Sequence, residues 1–406
     1  MTQAMNRPVA PPQIETDFAS DDFLGRPYEH YAAYHRESPV FRNQEGVVYL
    51  ARYDDCVTLL SGKQFQRNPP DGGAGPFASE QREPSPLEVM FSNWMIFMDP
   101  PRHDRVRQAF SQPFTIQSVK RAEPAIRSLT RQLIDTFRHL DQIELVSAFA
   151  FPMPVLVICE ILGVPAEDRY LFHDWANHLS HALDSCSEEA MRAAIPTSLA
   201  MRDYFVDLVN ARMTVKKNDL LGSLIAALKS DQLTKEEVVY GCGLMIGAGH
   251  ETTKSLIGNS VLALNTPSQH WATLRKQPEL IESALEECLR FVGPVHKISR
   301  WTSQEAIFGA YTVPRGSFIV ALLAAANRDP AVFENPHELD IRRSPNRHLA
   351  FGKGIHHCLG AAMARLQGRI AFEELVEAFE HIEPLSYQWR QNAMLRGLDS
   401  LTVALR

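Results

Sequence analysis

Apolar residues recur at helical spacing through most of the chain after residue 101, and the segments 102–112, 117–140, 143–162, 166–184, 188–213 and 219–229 each predict a helix. Thr234-Lys235-Glu236-Glu237 is the pattern in which a threonine hydroxyl and a glutamate three residues later satisfy each other's free N–H groups. It predicts the start of a long helix that closes around Asn265-Thr266-Pro267. About thirty residues at ~1.5 Å each give a rod of roughly 45 Å, enough to cross the molecule. Segments 278–291 and 358–379 predict two further helices. Strand signals are short: 39–42 and 47–52 flank a hairpin turn at Asn43-Gln44-Glu45-Gly46, 307–320 alternates between turn residues, and 401–405 ends the chain. The stretch 68–86, rich in Pro, Gly and Ser, predicts a long loop of the kind that often serves as a lid. No repeat or linker divides the chain, so the pattern predicts a mainly α fold with small β-sheets, one domain over residues 1–406.

Composition narrows the class. With 45% hydrophobic and 22% charged residues, the 406-residue chain has the balance of a folded globular protein. Forty-one basic against 48 acidic residues, a net charge of −7, argue against a nucleic-acid footprint spread over the surface. The amino terminus is polar and broken by prolines, without an apolar segment after a basic one. The longest apolar stretches, 148–159 and 318–326, fall short of the ~18 residues that span a bilayer. The expectation is a soluble, cytoplasmic protein with no membrane and no nucleic-acid partner.

The long helix contains Gly241, Gly243, Gly247, Gly249 and Gly258, each costing up to ~1 kcal/mol relative to Ala. Either a flat cofactor approaches the backbone or neighbouring helices pack closely; the residues alone leave both open. The six cysteines are scattered, with no C-x-x-C pair and no compact disulfide framework. One differs from the rest. Phe351-Gly352-Lys353-Gly354-Ile355-His356-His357-Cys358-Leu359-Gly360 sets Cys358 at the junction of a glycine-containing loop and a helix. There the positive end of the helix and free N–H groups lower a thiol's pKa, which suits a thiolate metal ligand. Gly352 and Gly354 let a planar group approach, and Phe351 shields the sulfur. An inert buried thiol is disfavoured in this setting, and a nucleophile with His356 or His357 as its base is the second alternative.

Those ten residues resemble the haem-binding loop of the cytochrome P450 family, F-G-x-G-x-H-x-C-x-G, at every fixed position. Ala248-Gly249-His250-Glu251-Thr252-Thr253 is similar to the family's oxygen-activating signature, and Glu287-Cys288-Leu289-Arg290 to its E-x-x-R. Asn327-Arg328-Asp329-Pro330 and His348-Leu349-Ala350 continue the match, which runs from Asp99 to Arg365. The resemblance implies a cytochrome P450 fold and a heme b (iron protoporphyrin IX) with Cys358 as its axial thiolate. It implies His103, Arg107, Arg300 and His356 as partners of the propionates, the alternative for His103 and Arg107 being an exposed charged helix face. Phe351, Gly352 and Ala248 would line the haem. Thr252 and Glu251 would deliver protons for O–O cleavage. Glu287 and Arg290, joined by Arg343, would hold the haem loop without taking part in chemistry.

The implied activity is a monooxygenase of secondary metabolism that hydroxylates or epoxidises a small to medium organic molecule. Alternatives are oxidative coupling, desaturation, peroxide-driven oxidation and, last, a non-catalytic haem protein. Substrate contacts are expected from the 68–98 loop, the helices between 165 and 210, the long helix and 295–299, where Lys297 is one candidate for an acidic substrate group. Phe91, Trp94 and Phe97 are expected mainly to pack. Electrons would come from a ferredoxin or flavodoxin with its reductase, attracted by Arg102, Arg105, Lys353, Arg365 and Arg369.

Overall fold

The computed structural model describes residues 9–70, 83–185, 187–266 and 269–406. The helices that build the core around the site are α1 (Arg102–Phe110), α2 (Ile116–Phe137), α3 (Pro152–Leu162), α4 (Arg169–Ser185), α5 (Ile195–Arg212), α6 (Lys235–Leu264), α7 (Ile281–Val292) and α8 (Ala361–Ala378). Of the described residues, 57% are helical. The long rod is present: Thr234 Oγ1 accepts from Glu237 N while the Glu237 carboxylate accepts from Thr234 N, and α6 runs 30 residues from there.

Two predicted helices need correction. Segment 143–162 opens as strand β4 (Gln142–Glu144) and a π-helical turn, Val146–Ala150, before α3 begins. Glu144 ends the strand by accepting from Val146 N and Ser147 N, and Pro152 and Pro154, lacking N–H groups, fit only the opening turn of a helix. Segment 188–213 is two helices, Glu188–Ala193 and α5, because Pro196 has no N–H with which to continue a preceding helix. The centre of the 68–86 loop, residues 71–82, as well as Cys186 and Pro267, lie outside the described residues.

The sheets are small. One orders five strands as β1 (Val40–Arg42), β2 (Val48–Leu50), β8 (Phe318–Leu322), β5 (Lys297–Thr302) and β3 (Phe65–Gln66). The hairpin expected near residue 43 is β1 against β2, with Phe41 opposite Tyr49. A two-stranded hairpin joins β6 (Ala306–Phe308) to β7 (Tyr311–Val313). The C-terminal strands β9 (Ile382–Trp389) and β10 (Leu398–Leu405) pair with each other, and β10 pairs on its other side with β4. On the β3 edge, Phe65 faces Thr302 and Gln66 faces Trp301, which brings the following residue, Arg67, to the strand that carries Arg300.

The glycines of α6 resolve in favour of close packing. A Cβ on Gly241 would lie 2.3 Å from the Phe110 ring of α1, one on Gly243 2.4 Å from the Met201 sulfur of α5, and one on Gly249 3.0 Å from Ile158 of α3. Three helices thus pack closely on α6, most tightly at Gly241, where a Cβ would meet the Phe110 ring. Gly247 has nothing near it.

Candidate active site

Two glycines shape the cysteine loop. Gly352 (φ 66°) and Gly354 (φ 72°) adopt the left-handed backbone that favours glycine, and a Cβ on Gly354 would lie 2.3 Å from the Leu60 carbonyl oxygen. The loop closes where Cys358 N donates to Phe351 O at 2.9 Å, and the Arg365 guanidinium lies 4.5 Å from the Phe351 ring. Cys358 is exposed, whereas Cys56, Cys159, Cys242 and Cys288 are buried. Helix α8 begins only at Ala361, with Gly360 as its cap, so Cys358 precedes the helix. The protein crowded around the thiol pushes its pKa up, and the Gly360 N–H, Arg107 and Arg365 offset this only in part.

Beside this loop the structure gathers cations with too few anions. Arg300 and Arg67 are buried, 4% and 8% exposed, and both donate to the Ser299 carbonyl oxygen. The rings of His103 and His356 lie 4.3 Å apart, and Arg107 Nη2 donates to His357 O at 2.7 Å. The Nε2 atoms of both histidines and Nε of Arg67 have no hydrogen-bond partner among the described residues. Burial drives Arg67 well below the usual guanidinium range, with Arg300 adding to the effect, and lowers Arg300 to about 10. Burial, then Arg300 and Arg67, likewise lower His356. Asp99 offsets this in part, but its oxygens are occupied by Arg67 N, Asn68 N and Asn68 Nδ2 at 2.8, 3.0 and 2.8 Å. A buried cation without a counterion costs several kcal/mol. A group bearing two carboxylates fits this cluster, and a haem with its two propionates is such a group.

His103, Arg107, Arg300 and His356 are thus brought together as the motifs implied. Arg67 was missed. Its only signal is its place after β3, a strand two residues long that the pattern did not reveal.

Helix α6 is buried almost throughout, and its accessible positions in mid-length cluster at Gly247, Ala248, Gly249 and Thr252. Thr252 Oγ1 donates to Ala248 O at 3.0 Å, back-bonding along the helix. Glu251 is held differently. It is 3% exposed, with Oε1 at 2.5 Å from Lys254 Nζ and 2.7 Å from Arg390 Nη2. Burial pushes its carboxyl up, but Lys254 and Arg390 outweigh that and hold it well below the carboxylate range. Glu251 and Thr252 therefore have separate surroundings despite adjacent positions.

The network behind the loop forms as expected. Arg290 donates twice to Glu287, at 2.8 and 2.7 Å, Arg343 Nε sits 3.1 Å from Oε2 and 3.2 Å from Oε1, and Asn346 adds a contact at 3.0 Å.

Other expectations change. Arg102 and Arg105 share Glu237, Arg365 pairs with Glu286, and Arg369 with Glu123 and Glu373, so four of the five residues of the expected basic face are engaged in ion pairs, while Lys353 is exposed. Lys297 is engaged by Asp184 at 3.2 Å and lies over the Phe18 ring, so it does not offer a free ammonium to an acidic substrate. Phe91, Trp94 and Phe97 are buried and pack on one another. No helix among the described residues is long and apolar enough to cross a membrane.

Comparison with known proteins agrees with this geometry. The Cytochrome P450 family model matches residues 77–397. The chain is 34% identical to the polyketide biosynthesis cytochrome P450 PksS of Bacillus subtilis over 402 residues, covering 95% of this chain and 97% of the relative. It is 38% identical to cytochrome P450 107B1 of Saccharopolyspora erythraea, covering 95% and 96%. The crystal structure of P450BioI in complex with a hexadecenoic acid-ligated acyl carrier protein superposes with a TM-score of 0.89 at 33% identity, covering 95% of this chain and all of that one. The chain belongs to the cytochrome P450 family of monooxygenases, which bind haem through a cysteine thiolate and draw electrons from a redox partner.

Proposed function

We propose that Cys358 would supply the thiolate that binds the iron of a heme b, that His103, Arg107, Arg300 and His356 would hold its propionates and that Phe351, Gly352 and Ala248 would line it, in one catalytic domain spanning residues 1–406. The observation that carries this reading is the cluster beside the cysteine loop of two buried guanidiniums, Arg67 and Arg300, and the facing rings of buried His103 and half-buried His356. Bound haem supplies the activation of dioxygen. The chain's own residues do the rest. Thr252 presents a hydroxyl at the accessible notch of α6, Glu251 supplies the acid behind it, and exposed Ala248, beside Gly247 with nothing within 4 Å of its missing side chain, leaves space for a substrate.

The substrate we propose is an apolar natural-product intermediate, hydroxylated or epoxidised. Half-buried Val295, Ile298, Met394 and Leu395 gather where Val295 bridges to Leu395. The names of PksS and of the carrier-protein complex of P450BioI favour a polyketide or fatty acyl chain. A separate ferredoxin or flavodoxin with its reductase delivers the electrons, in the cytoplasm. The test is a binding screen that follows the haem spin state, with product analysis of each hit. Acyl or polyketide ligands should shift the spectrum and return with one added oxygen, and a preference for small charged molecules would overturn the reading.

A further inference from the structure

Beside Glu251, polar atoms of two histidines converge on its carboxylate. His250 is fully buried, and its Nδ1 donates to Ile246 O at 2.8 Å, which leaves Nε2 with a lone pair aimed at Glu251 Oε2, 3.5 Å away. His173, half-buried on α4, takes its place opposite: Asn177 Nδ2 lies 3.2 Å from its Nε2, which leaves Nδ1 to carry the hydrogen. One ring nitrogen of His173, one of His250 and a carboxylate oxygen of Glu251 lie within 4.8 Å of one another, and His173 Nδ1 and His250 Nε2 are the ring nitrogens left open there. The two ring nitrogens have no hydrogen-bond partner among the described residues.

Two acceptors and one donor at these separations are the complement of a single water, which donates to Nε2 of His250 and Oε2 of Glu251 and accepts from His173. A divalent metal is the competing occupant of two histidines and a carboxylate. It fits worse, because Oε1 of the same carboxylate already lies against two cations, and a dication beside it would be repelled by both at short range. It would also require the other tautomer of His173. Burial keeps His250 neutral, with a pKa lowered to about 4, as an acceptor of that water needs to be.

We propose that His173, through one ordered water shared with His250 and Glu251, is the point at which solvent protons reach Glu251. In one transfer a solvent proton adds at Nε2 of His173 as the Nδ1 proton passes to the water, and the water passes one of its own to Oε2. One proton enters, one arrives on Glu251, no electrons move, and His173 is left as its other neutral tautomer. Rotation of the Asn177 amide presents its oxygen to the new N–H. His173 touches neither substrate nor cofactor and acts through Glu251, so it is a positioning residue. The inference rests on the reading of Glu251 and Thr252 as the proton-delivering pair.

The test uses the haem-loaded protein with its redox partners and compares His173→Phe, His173→Asn and Thr252→Ala. Asn keeps a donor for the water but has no ring to carry a proton. Both His173 variants should lose about tenfold in product formed per electron consumed and show a larger solvent isotope effect, at unchanged haem content and substrate affinity. Wild-type coupling and isotope effect in His173→Asn would overturn the relay, leaving the histidine as a mere anchor. One zinc ion bound per wild-type chain and lost in His173→Asn would overturn it in favour of a metal site. Full coupling in Thr252→Ala would instead defeat the acid–alcohol reading itself. A crystal structure showing no water within 3.2 Å of the three atoms, the ordinary hydrogen-bond reach, would remove the relay whatever the variants do.

Discussion

Arg67 and Arg300 donate to one acceptor, the carbonyl oxygen of Ser299. Two buried guanidiniums on a single oxygen repel one another, and each lowers its proton affinity in response to burial. The arrangement is short of anions, and the two carboxylates of the haem proposed above would complete it.

Arg67→Gln should therefore act with opposite sign on the two forms. Relief of like-charge repulsion stabilises the haem-free protein by roughly 1 kcal/mol, while loss of a charge-assisted contact weakens haem binding by about tenfold or more. Thermal unfolding of the haem-free protein and haem transfer to an acceptor protein measure the two effects. Unchanged haem transfer would show that Arg67 does not reach the propionates.

Cys358→Ala should fold and retain the loop, since the bond that closes it uses the backbone of Cys358 and Phe351. The reduced, carbon monoxide-bound spectrum should lose the signature of thiolate ligation. The same spectrum in the variant as in the wild type would end the ligand assignment.

Thr252→Ala removes a hydroxyl whose bond is to Ala248 O in its own helix, so its stability should stay within about 1 kcal/mol of wild type. Its coupling should fail, with reducing equivalents released as peroxide. Glu251→Gln differs because it leaves Lys254 and Arg390 buried beside a neutral amide, at a cost of about 3 kcal/mol or more. Urea unfolding with a peroxide assay separates the two variants.

Glu287→Ala should be the most damaging change outside the site. It strands Arg290, fully buried, and Arg343, at about 3 to 5 kcal/mol. The expected result is protein with little haem and an unfolding midpoint several degrees lower, seen in the ratio of haem to protein absorbance.

A pH dependence follows from Glu237. Burial pushes its carboxyl up, but Arg105, the Thr234 N–H and Arg102 outweigh this and bring it down to about 2. A carboxyl lowered on folding stabilises fully above its unfolded pKa of ~4.5 and loses that contribution as pH falls through the folded value. The stability gap between wild type and Glu237→Gln should be constant above about pH 5 and close between about pH 4.5 and 2. A gap that widens on acidification would contradict the pairing.

How far the sequence foretold this molecule depended on the range of each interaction. The α6 cap lies within four residues, Thr234 to Glu237, and was readable directly. The cysteine loop was readable because its glycines mark backbone turns that few other residues adopt. The start of 143–162 was misread because Gln142–Glu144 is a strand only through pairing with β10 at the far end of the chain. Arg67 escaped for the same reason, since its meaning comes from Arg300. The partners of Glu251 were half-visible: Lys254 is on the same helix, but Arg390 comes from the end of β9.

The packing of Gly241 has a practical bearing. The ring that fills its place is Phe110, at the end of the short helix whose other turns carry His103 and Arg107. A bulkier residue at Gly241 displaces Phe110 and with it the two side chains proposed to hold the haem. Damage to the protein's interior along α6 therefore registers as a loss of colour, and the red of a purified preparation doubles as a gauge of how well its core is assembled.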